Sequence, residues 1–420
     1  MGGSGPRPTR RGLVRAAAGL AVAAGAGLDI RDARADAPNP VEPFWGPHQG
    51  GITTVPMQRH TYAAAFDLVA AGRDDVVAML RRWTAAAGRM SYGYSAKALT
   101  EEAAAPAADS GDALDLPPAR LTLTFGFGAG LFIKDGKDRY GLADRRPAAL
   151  VDLPVFEGDE LIEARTGGDV SVQACADDPQ VAFHAVRQLA RLAQGEAQLR
   201  WAQPGFLSGG GPEQTPRNLM GFKDGTRNPP VGDPAAMEQF VWVGEEGPDW
   251  MEGGSYVVFR RIRVALEHWD RMPVGFQEQT FGRRKYSGAP LGSKEELDRP
   301  DLKAVGEDGE PVIPASAHIR LAAPASNDGA QILRRPYSYN DGIDFVAERW
   351  PPWRRGMEYD AGLFFVCYQR DPRTGFIKIF DRLSQFDMLN QFVTHTGGGL
   401  FACPGGVAPG EFIGQRLLTS

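Results

Sequence analysis

Hydrophobic positions along this chain recur with two periods, and the order in which those periods alternate predicts the architecture. His60–Val69 alternates as a strand, and Asp74–Arg89 repeats with helical spacing. Arg120–Phe127 and Asp169–Ala176 read as two further strands. A second helix is well signalled. Asp177 or Asp178 can cap it, Pro179 fits its first turn, and Val181, Ala185, Leu189 and Leu192 share one face. A strand at Gln198–Phe206 closes a β-α-β-β-α-β unit, the ferredoxin-like order. The order then repeats: strand Tyr256–Leu266, helix Glu267–Phe281, strands Ile332–Tyr339 and Gly362–Gln369, helix Gly375–Phe386, strand Phe392–Phe401. Sequence identity between the halves is not evident, so the repeat is one of pattern. The prediction is an α+β protein of two similar modules.

Two irregular stretches interrupt this pattern. Gly205–Asp233, between the halves, is rich in Gly, Pro and Asn, and Ser287–Pro314 precedes His318. Long excursions of this kind in a compact pattern tend to carry function.

Composition narrows the class. Of 420 residues, 43% are hydrophobic and 23% charged, which supports a substantial core. Residues 1–35 hold six Arg against two Asp, leaving −10 for the rest of a chain whose total is −6. An acidic body argues against nucleic acid and anionic membrane surfaces as partners. No apolar run beyond residue 30 is long enough to span a bilayer.

The N-terminus reads as an address. Arg10-Arg11 precedes an apolar stretch, Ala16–Leu28, too short to cross a membrane, and Ala33-Arg34-Ala35 is a small-x-small cleavage site. Adjacent arginines in that setting point to the twin-arginine route, which exports folded proteins. The expected divisions are a signal peptide over 1–35, an extension over 36–58, and modules over 59–215 and 216–420.

Several chemistries are excluded. Cys175, Cys367 and Cys403 are far apart, so no CxxC pair, cysteine zinc site or CxxCH haem attachment exists, and all three read best as buried small hydrophobes. The six histidines show no i, i+3 or i, i+4 pair. The glycine-rich run Thr124–Gly130 lacks dinucleotide-binding spacing and reads as close backbone packing.

The segment Gly221-Phe222-Lys223-Asp224-Gly225-Thr226-Arg227-Asn228-Pro229 is by composition a polar turn. It also resembles the GxxDG motif of dye-decolorizing peroxidases, in the longer GFKDGTxNP form. Phe44–Ile52, Val172–Asp178, Ala317–Leu321, Leu333–Arg335 and His395–Gly398 resemble the same family, in family order, over roughly residues 43 to 405. Trp45 and Pro47 depart from the smaller or polar residues expected there, and Arg227 sits where the family varies.

The resemblance implies two ferredoxin-like modules of the dimeric α+β barrel type, with one non-covalent haem b held in the C-terminal module. It implies His318 as the proximal iron ligand, with a partner on its other nitrogen that the sequence does not identify. It implies Asp224 as the distal acid–base group and Arg334, rather than the adjacent Arg335, as the distal arginine. Gly225, Thr226, Arg227, Ala323, Pro324 and Ala325 would border the haem. Asn228 would tether distal water, and Phe365 would close the distal face. The implied activity is oxidation of dyes, phenols or other bulky donors by hydrogen peroxide, with an acidic optimum. No relay residue among the Trp and Tyr side chains stands out. Two other readings remain on the same site: a deferrochelatase that takes iron from haem and leaves the porphyrin intact, and a haem carrier without turnover. Translocase contact during export, a periplasmic or extracellular destination and a possible homo-oligomer complete the expectations.

Overall fold

The computed structural model describes residues 40–100, 107–208, 215–347 and 355–419. The twin-arginine segment and the cleavage site lie outside the described residues. No described helix is long and apolar enough to cross a membrane.

Among the described residues, nine strands carry the fold: β1 (His60–Leu68), β2 (Thr122–Phe127), β3 (Val170–Ala176), β4 (Ala197–Phe206), β5 (Ser255–Val264), β6 (Leu333–Arg334), β7 (Tyr337–Ala347), β8 (Arg355–Gln369) and β9 (Val393–Cys403). The helices that matter here are α1 (Arg73–Ser91), α2 (Pro179–Leu192), α3 (Leu266–Trp269), α4 (Val274–Phe281), α5 (His318–Leu321) and α6 (Phe376–Phe386). The first half pairs its strands in the order β2-β3-β1-β4, and the second in the order β9-β5-β8-β7, all antiparallel. Single pairs, Phe127 with Ala402 and Phe206 with Ser338, join the two four-stranded groups at both edges, so the sheet closes like a barrel. Closure removes the exposed edges that each half would otherwise present.

Packing follows the sequence pattern. On α1, Val76, Met79, Leu80, Trp83, Ala86, Ala87 and Met90 are buried, a stripe with helical spacing that lies on the first half's sheet. The indole of Trp83 donates to the Leu189 carbonyl at 2.8 Å, fixing α1 to α2. Asp178 is the residue that caps α2, accepting from the backbone of Gln180 and Val181. The glycine-rich run is indeed a place of close approach. A Cβ on Gly126 would lie 2.7 Å from Ser171 Oγ and 2.8 Å from Phe401 Cβ. The three cysteines are buried and unpaired with one another.

The structure departs from the pattern at several places, among them the end of the Ile332–Tyr339 strand, where β7 runs on to Ala347. The helix expected over Glu267–Phe281 is two short helices, because Pro273 lacks the N–H a helix interior needs and instead stands at the N-cap of α4. The strand expected over Ile332–Tyr339 is interrupted at Arg335-Pro336 for a related reason: proline cannot donate to the ladder. β8 starts seven residues before the expected Gly362, and this early portion pairs with β7. Its residues Met357 and Tyr359 are exposed, so no apolar alternation announces it.

A buried charged cluster ties the loop before β2 to α2. His184, 6% exposed, lies between Asp112 (3.0 Å from Nδ1) and Asp109 (3.4 Å from Nε2). Burial works to lower the His184 pKa, and the two carboxylates more than offset it, so the pKa is raised. Asp112 is pulled to about 2 despite burial, chiefly by hydrogen bonds from Ser110 and His184. The raised histidine pKa means its contribution is fully present below the ordinary value near ~6.5 and is lost as pH rises through the folded value. The lowered aspartate contributes fully above its ordinary value and fails as pH falls through about 2. His184→Gln is expected to cost about 3 kcal/mol near pH 5.5, since it leaves the buried Asp109 without its cation, while Asp112 keeps Arg187 at 3.2 Å. The loss should shrink toward pH 9, measured by denaturant unfolding at the two pH values.

Candidate active site

The second half places its polar residues on two sides of one interior space. On one side, α5 begins at His318, and the 69-residue span to Asp387 closes with a 2.6 Å hydrogen bond from Nδ1 to Oδ2. Asp387 is 3% exposed and follows α6 directly. Its other oxygen accepts from the Leu389 backbone at 2.9 Å, so both carboxylate oxygens are engaged. This fixes the imidazole, with Nδ1 turned to Asp387 and Nε2 left without a protein partner. Burial works to lower the His318 pKa. The Asp387 charge and hydrogen bond outweigh it, so the pKa is raised; Arg334 opposes and Asp224 assists. The imidazole is surrounded by protein yet keeps 30% of its side chain accessible, as a group lining an internal space does.

On the other side, the loop after β4 carries Asp224, whose backbone N–H donates to the Pro216 carbonyl at 2.9 Å. Arg334 Nη1 donates to Asp224 Oδ1 at 3.2 Å. Both side chains are partly accessible, at 17% and 25%, so neither face of this pair is sealed. Arg334 is the last residue of β6, opposite Cys367 on β8. Side chains alternate along a strand, so Arg334 shares the sheet face of Cys367 and Phe365, whereas Arg335 turns to the opposite face. Phe365 is half-buried there, 5.9 Å from the ring of Phe376.

Asn228 has a role the sequence did not suggest. Its amide donates to the Arg334 carbonyl at 2.7 Å and accepts from the Arg334 N–H at 3.1 Å. It therefore clamps the backbone that carries the guanidinium. In front of Gly225 (φ +100°) a Cβ would meet nothing within 4 Å, and the buried Thr226 hydroxyl has no hydrogen-bond partner. Arg227 reaches the Leu297 carbonyl at 3.1 Å, which ties the motif loop to the long segment before His318. Ala323, Pro324 and Ala325 form the turn after α5, with Pro324 and Ala325 exposed. They stand on the His318 side and make no polar contact with the Asp224–Arg334 pair.

Two residues were missed by sequence reasoning. Asp387 carries no motif, and only its place after an amphipathic helix marks it. Arg283 is 5% exposed and has its pKa lowered to about 10 by burial first, then by the charges of Arg227 and Arg334, with Glu296 opposing. Three arginines thus converge beside the space, a region suited to a ligand bearing carboxylates.

This arrangement offers the Nε2 nitrogen of His318 to a metal and sets an Asp224–Arg334 pair near enough for both charges to act on that imidazole. Family models for the Dyp-type peroxidase N-terminal and C-terminal regions match residues 49–207 and 215–408. The chain belongs to the Dyp-type peroxidase family. A dye-decolorizing peroxidase of Thermobifida fusca is 40% identical over 353 residues, 82% of this chain and 76% of that protein. A deferrochelatase of Escherichia coli K12 is 35% identical over 98% of this chain and 97% of its own. Among solved structures, ferric DtpA of Streptomyces lividans shares 43% identity and superposes with a TM-score of 0.81, covering 91% of this chain and 98% of its own. Asp224, His318, Arg334 and Asp387 all lie within the C-terminal match. Because Asn228 holds Arg334 by two backbone hydrogen bonds, Asn228→Ala is expected to cost about 1–3 kcal/mol, read from the denaturant midpoint. Asn228→Asp should recover less than half of it, since a carboxylate accepts but does not donate.

Proposed function

We propose that this Dyp-type chain is a haem b peroxidase that binds one haem non-covalently in its C-terminal half. His318 would be the iron ligand, and Asp224 and Arg334 the catalytic residues. The carrying observation is the Asp224–Arg334 pair at 3.2 Å, close enough that both charges act on His318, whose Nδ1 is held by Asp387. The residues present fit the group. The His318 nitrogen without a protein partner suits iron, and the convergent Arg227, Arg283 and Arg334 suit propionates. Gly225 opens on space, and the orphaned Thr226 hydroxyl faces no competing partner. Ala323, Pro324 and Ala325 would border the cofactor on the His318 side and Phe365 on the Asp224 side.

The haem, when bound, supplies an iron that takes up peroxide and two oxidising equivalents that it passes on. The chain's own residues handle the protons. Asp224 would hold and move the proton: its carboxylate can accept one from hydrogen peroxide and return it to the departing oxygen, which would leave as water. Arg334 presents a permanent cation to the oxygen that gains charge. Its charge also reaches His318, as does that of Asp224. Asp387 orients the imidazole and raises its basicity. Asn228 holds the Arg334 backbone with both amide atoms, and its second N–H would remain to tether distal water.

We also read the two four-stranded groups as ferredoxin-like modules with boundaries at 59–215 and 216–420, and residues 1–35 as a twin-arginine signal. The mature chain would then work in the periplasm or outside the cell, on hydrogen peroxide and a bulky organic reductant such as a dye or phenol. A second reading, iron release from haem with the porphyrin left intact, draws support from the deferrochelatase that matches nearly the full length.

In hemin-reconstituted protein, His318→Ala should abolish the histidine-ligated Soret band. Asp224→Asn should keep that band and lose about 10²–10⁴-fold in peroxide turnover. Full turnover in Asp224→Asn would sink the acid–base role of Asp224, whereas haem binding without peroxide turnover in the unaltered protein would leave a carrier. Asp387→Asn should weaken hemin affinity about 10–100-fold, read by titration. Iron chelated from the protein with intact porphyrin, at a rate exceeding dye oxidation, would favour the second reading.

A further inference from the structure

Among the described residues, three strand pairings slip by one residue, and all three slips fall around one cavity. Between β1 and β4, Ala65 faces Trp201 but Phe66 faces Leu199, so Arg200 is the extra residue. Between β5 and β9, Arg261 faces Gly397 and Ile262 faces His395, which leaves Thr396 over. Between β7 and β8, Asn340 faces Ala361 and Ile343 faces Tyr359, so Asp341 and Gly342 stand opposite Asp360 alone. A bulge re-aims the side chain it carries, and bulges recur at barrel rims and beside functional sites. Arg200 and Asp341 both line a cavity of about 310 Å³. The Thr396 hydroxyl accepts at 3.0 Å from Nη1 of Arg261, which lines it too.

The cavity has a charged rim and an aromatic floor. Trp201 and Phe364 are buried in the apolar cluster between the two halves, where each packs on Phe259. Arg165 and Arg200 are more open, with side chains 42% and 25% accessible. Their charges are matched unevenly. Arg200 Nη1 holds Asp67 at 3.0 Å, and Arg261 Nη2 donates to Asp341 and Asp360 at 2.8 Å each. Arg165 finds one carboxylate among the described residues, Asp360 at 3.9 Å, and that oxygen is already engaged by Arg261. One guanidinium at the rim thus keeps its forked N–H groups available, the geometry that takes a carboxylate. Neighbouring side chains on a strand turn to opposite faces, so Phe364 lies across the sheet from Phe365 and the Asp224–Arg334 side.

We propose that this cavity binds a small aromatic monocarboxylate of the benzoate class, with its carboxylate on Arg165 and its ring toward Trp201 and Phe364. The single weakly matched cation sets the charge of the ligand, and the floor calls for an apolar body. The volume suits a small molecule, and the mouth of a barrel is a common place for one. Arg165 and Trp201 belong to the first half and Arg261 and Phe364 to the second, so the ligand bridges the two.

The test uses the full hemin-loaded chain. Crystals soaked in para-iodobenzoate should show an iodine anomalous peak beside Trp201 and Phe364, with the carboxylate within hydrogen-bond reach of Arg165. Calorimetric titration with benzoate at fixed ionic strength should find affinity about 10–100-fold weaker in Arg165→Gln. Acetate at the same concentration should not displace the benzoate, because it lacks the ring. Iodine found only at the surface or beside Arg227, Arg283 and Arg334 overturns the site, as does equal affinity in Arg165→Gln. Displacement by acetate overturns the aromatic assignment. Should Arg165→Gln fail to fold, the iodine map of the unaltered protein decides alone.

Discussion

The site depends on the hydrogen bond from His318 to Asp387, which fixes one imidazole nitrogen and thereby decides what the other can do. Asp387 is buried and has its second oxygen committed to the Leu389 backbone, so it cannot turn away. The bond links the short helix that starts at His318 to the end of α6, two elements that approach only because the second half's strands bring them together. A histidine held this way presents a single direction to a metal.

The opposite side is built by backbone clamping rather than by packing. Asn228 grips the main chain at Arg334 while Asp224 meets its guanidinium, so the GFKDGTRNP loop supplies both the partner and the clamp. The strand break at Pro336 belongs to the same construction. It ends β6 at Arg334, which faces the site, and leaves Arg335 beyond the strand, turned to the opposite face of the sheet. Adjacent cations therefore meet different surroundings, one with a carboxylate and one without.

Much of this was legible in the sequence. Period-two and helical patterns placed β1, α1, β3, α2 and α6 to within a few residues, because each buries one face against a shared core. The extra length of β8 was not legible, since Met357 and Tyr359 are exposed there and leave no apolar rhythm. Pro273 and Pro336 were visible, and weighing them more heavily would have divided the helix and the strand correctly. At the site, Asp224, Asn228 and Arg334 were implied only by the family resemblance of Gly221–Pro229 and Leu333–Arg335, since by composition the first of these reads as a polar turn. Asp387 and Arg283 escaped because their importance comes from distant neighbours: a histidine 69 positions away, and two arginines converging from other segments.

The most direct measurement is a crystal structure of the hemin-loaded chain. The account expects the iron to be bound by His318 Nε2, with Nδ1 still on Asp387 and with Asp224 and Arg334 on the opposite side of the macrocycle. Iron held by any other residue, or Asp224 and Arg334 lying on the same side as the ligating histidine, would contradict it.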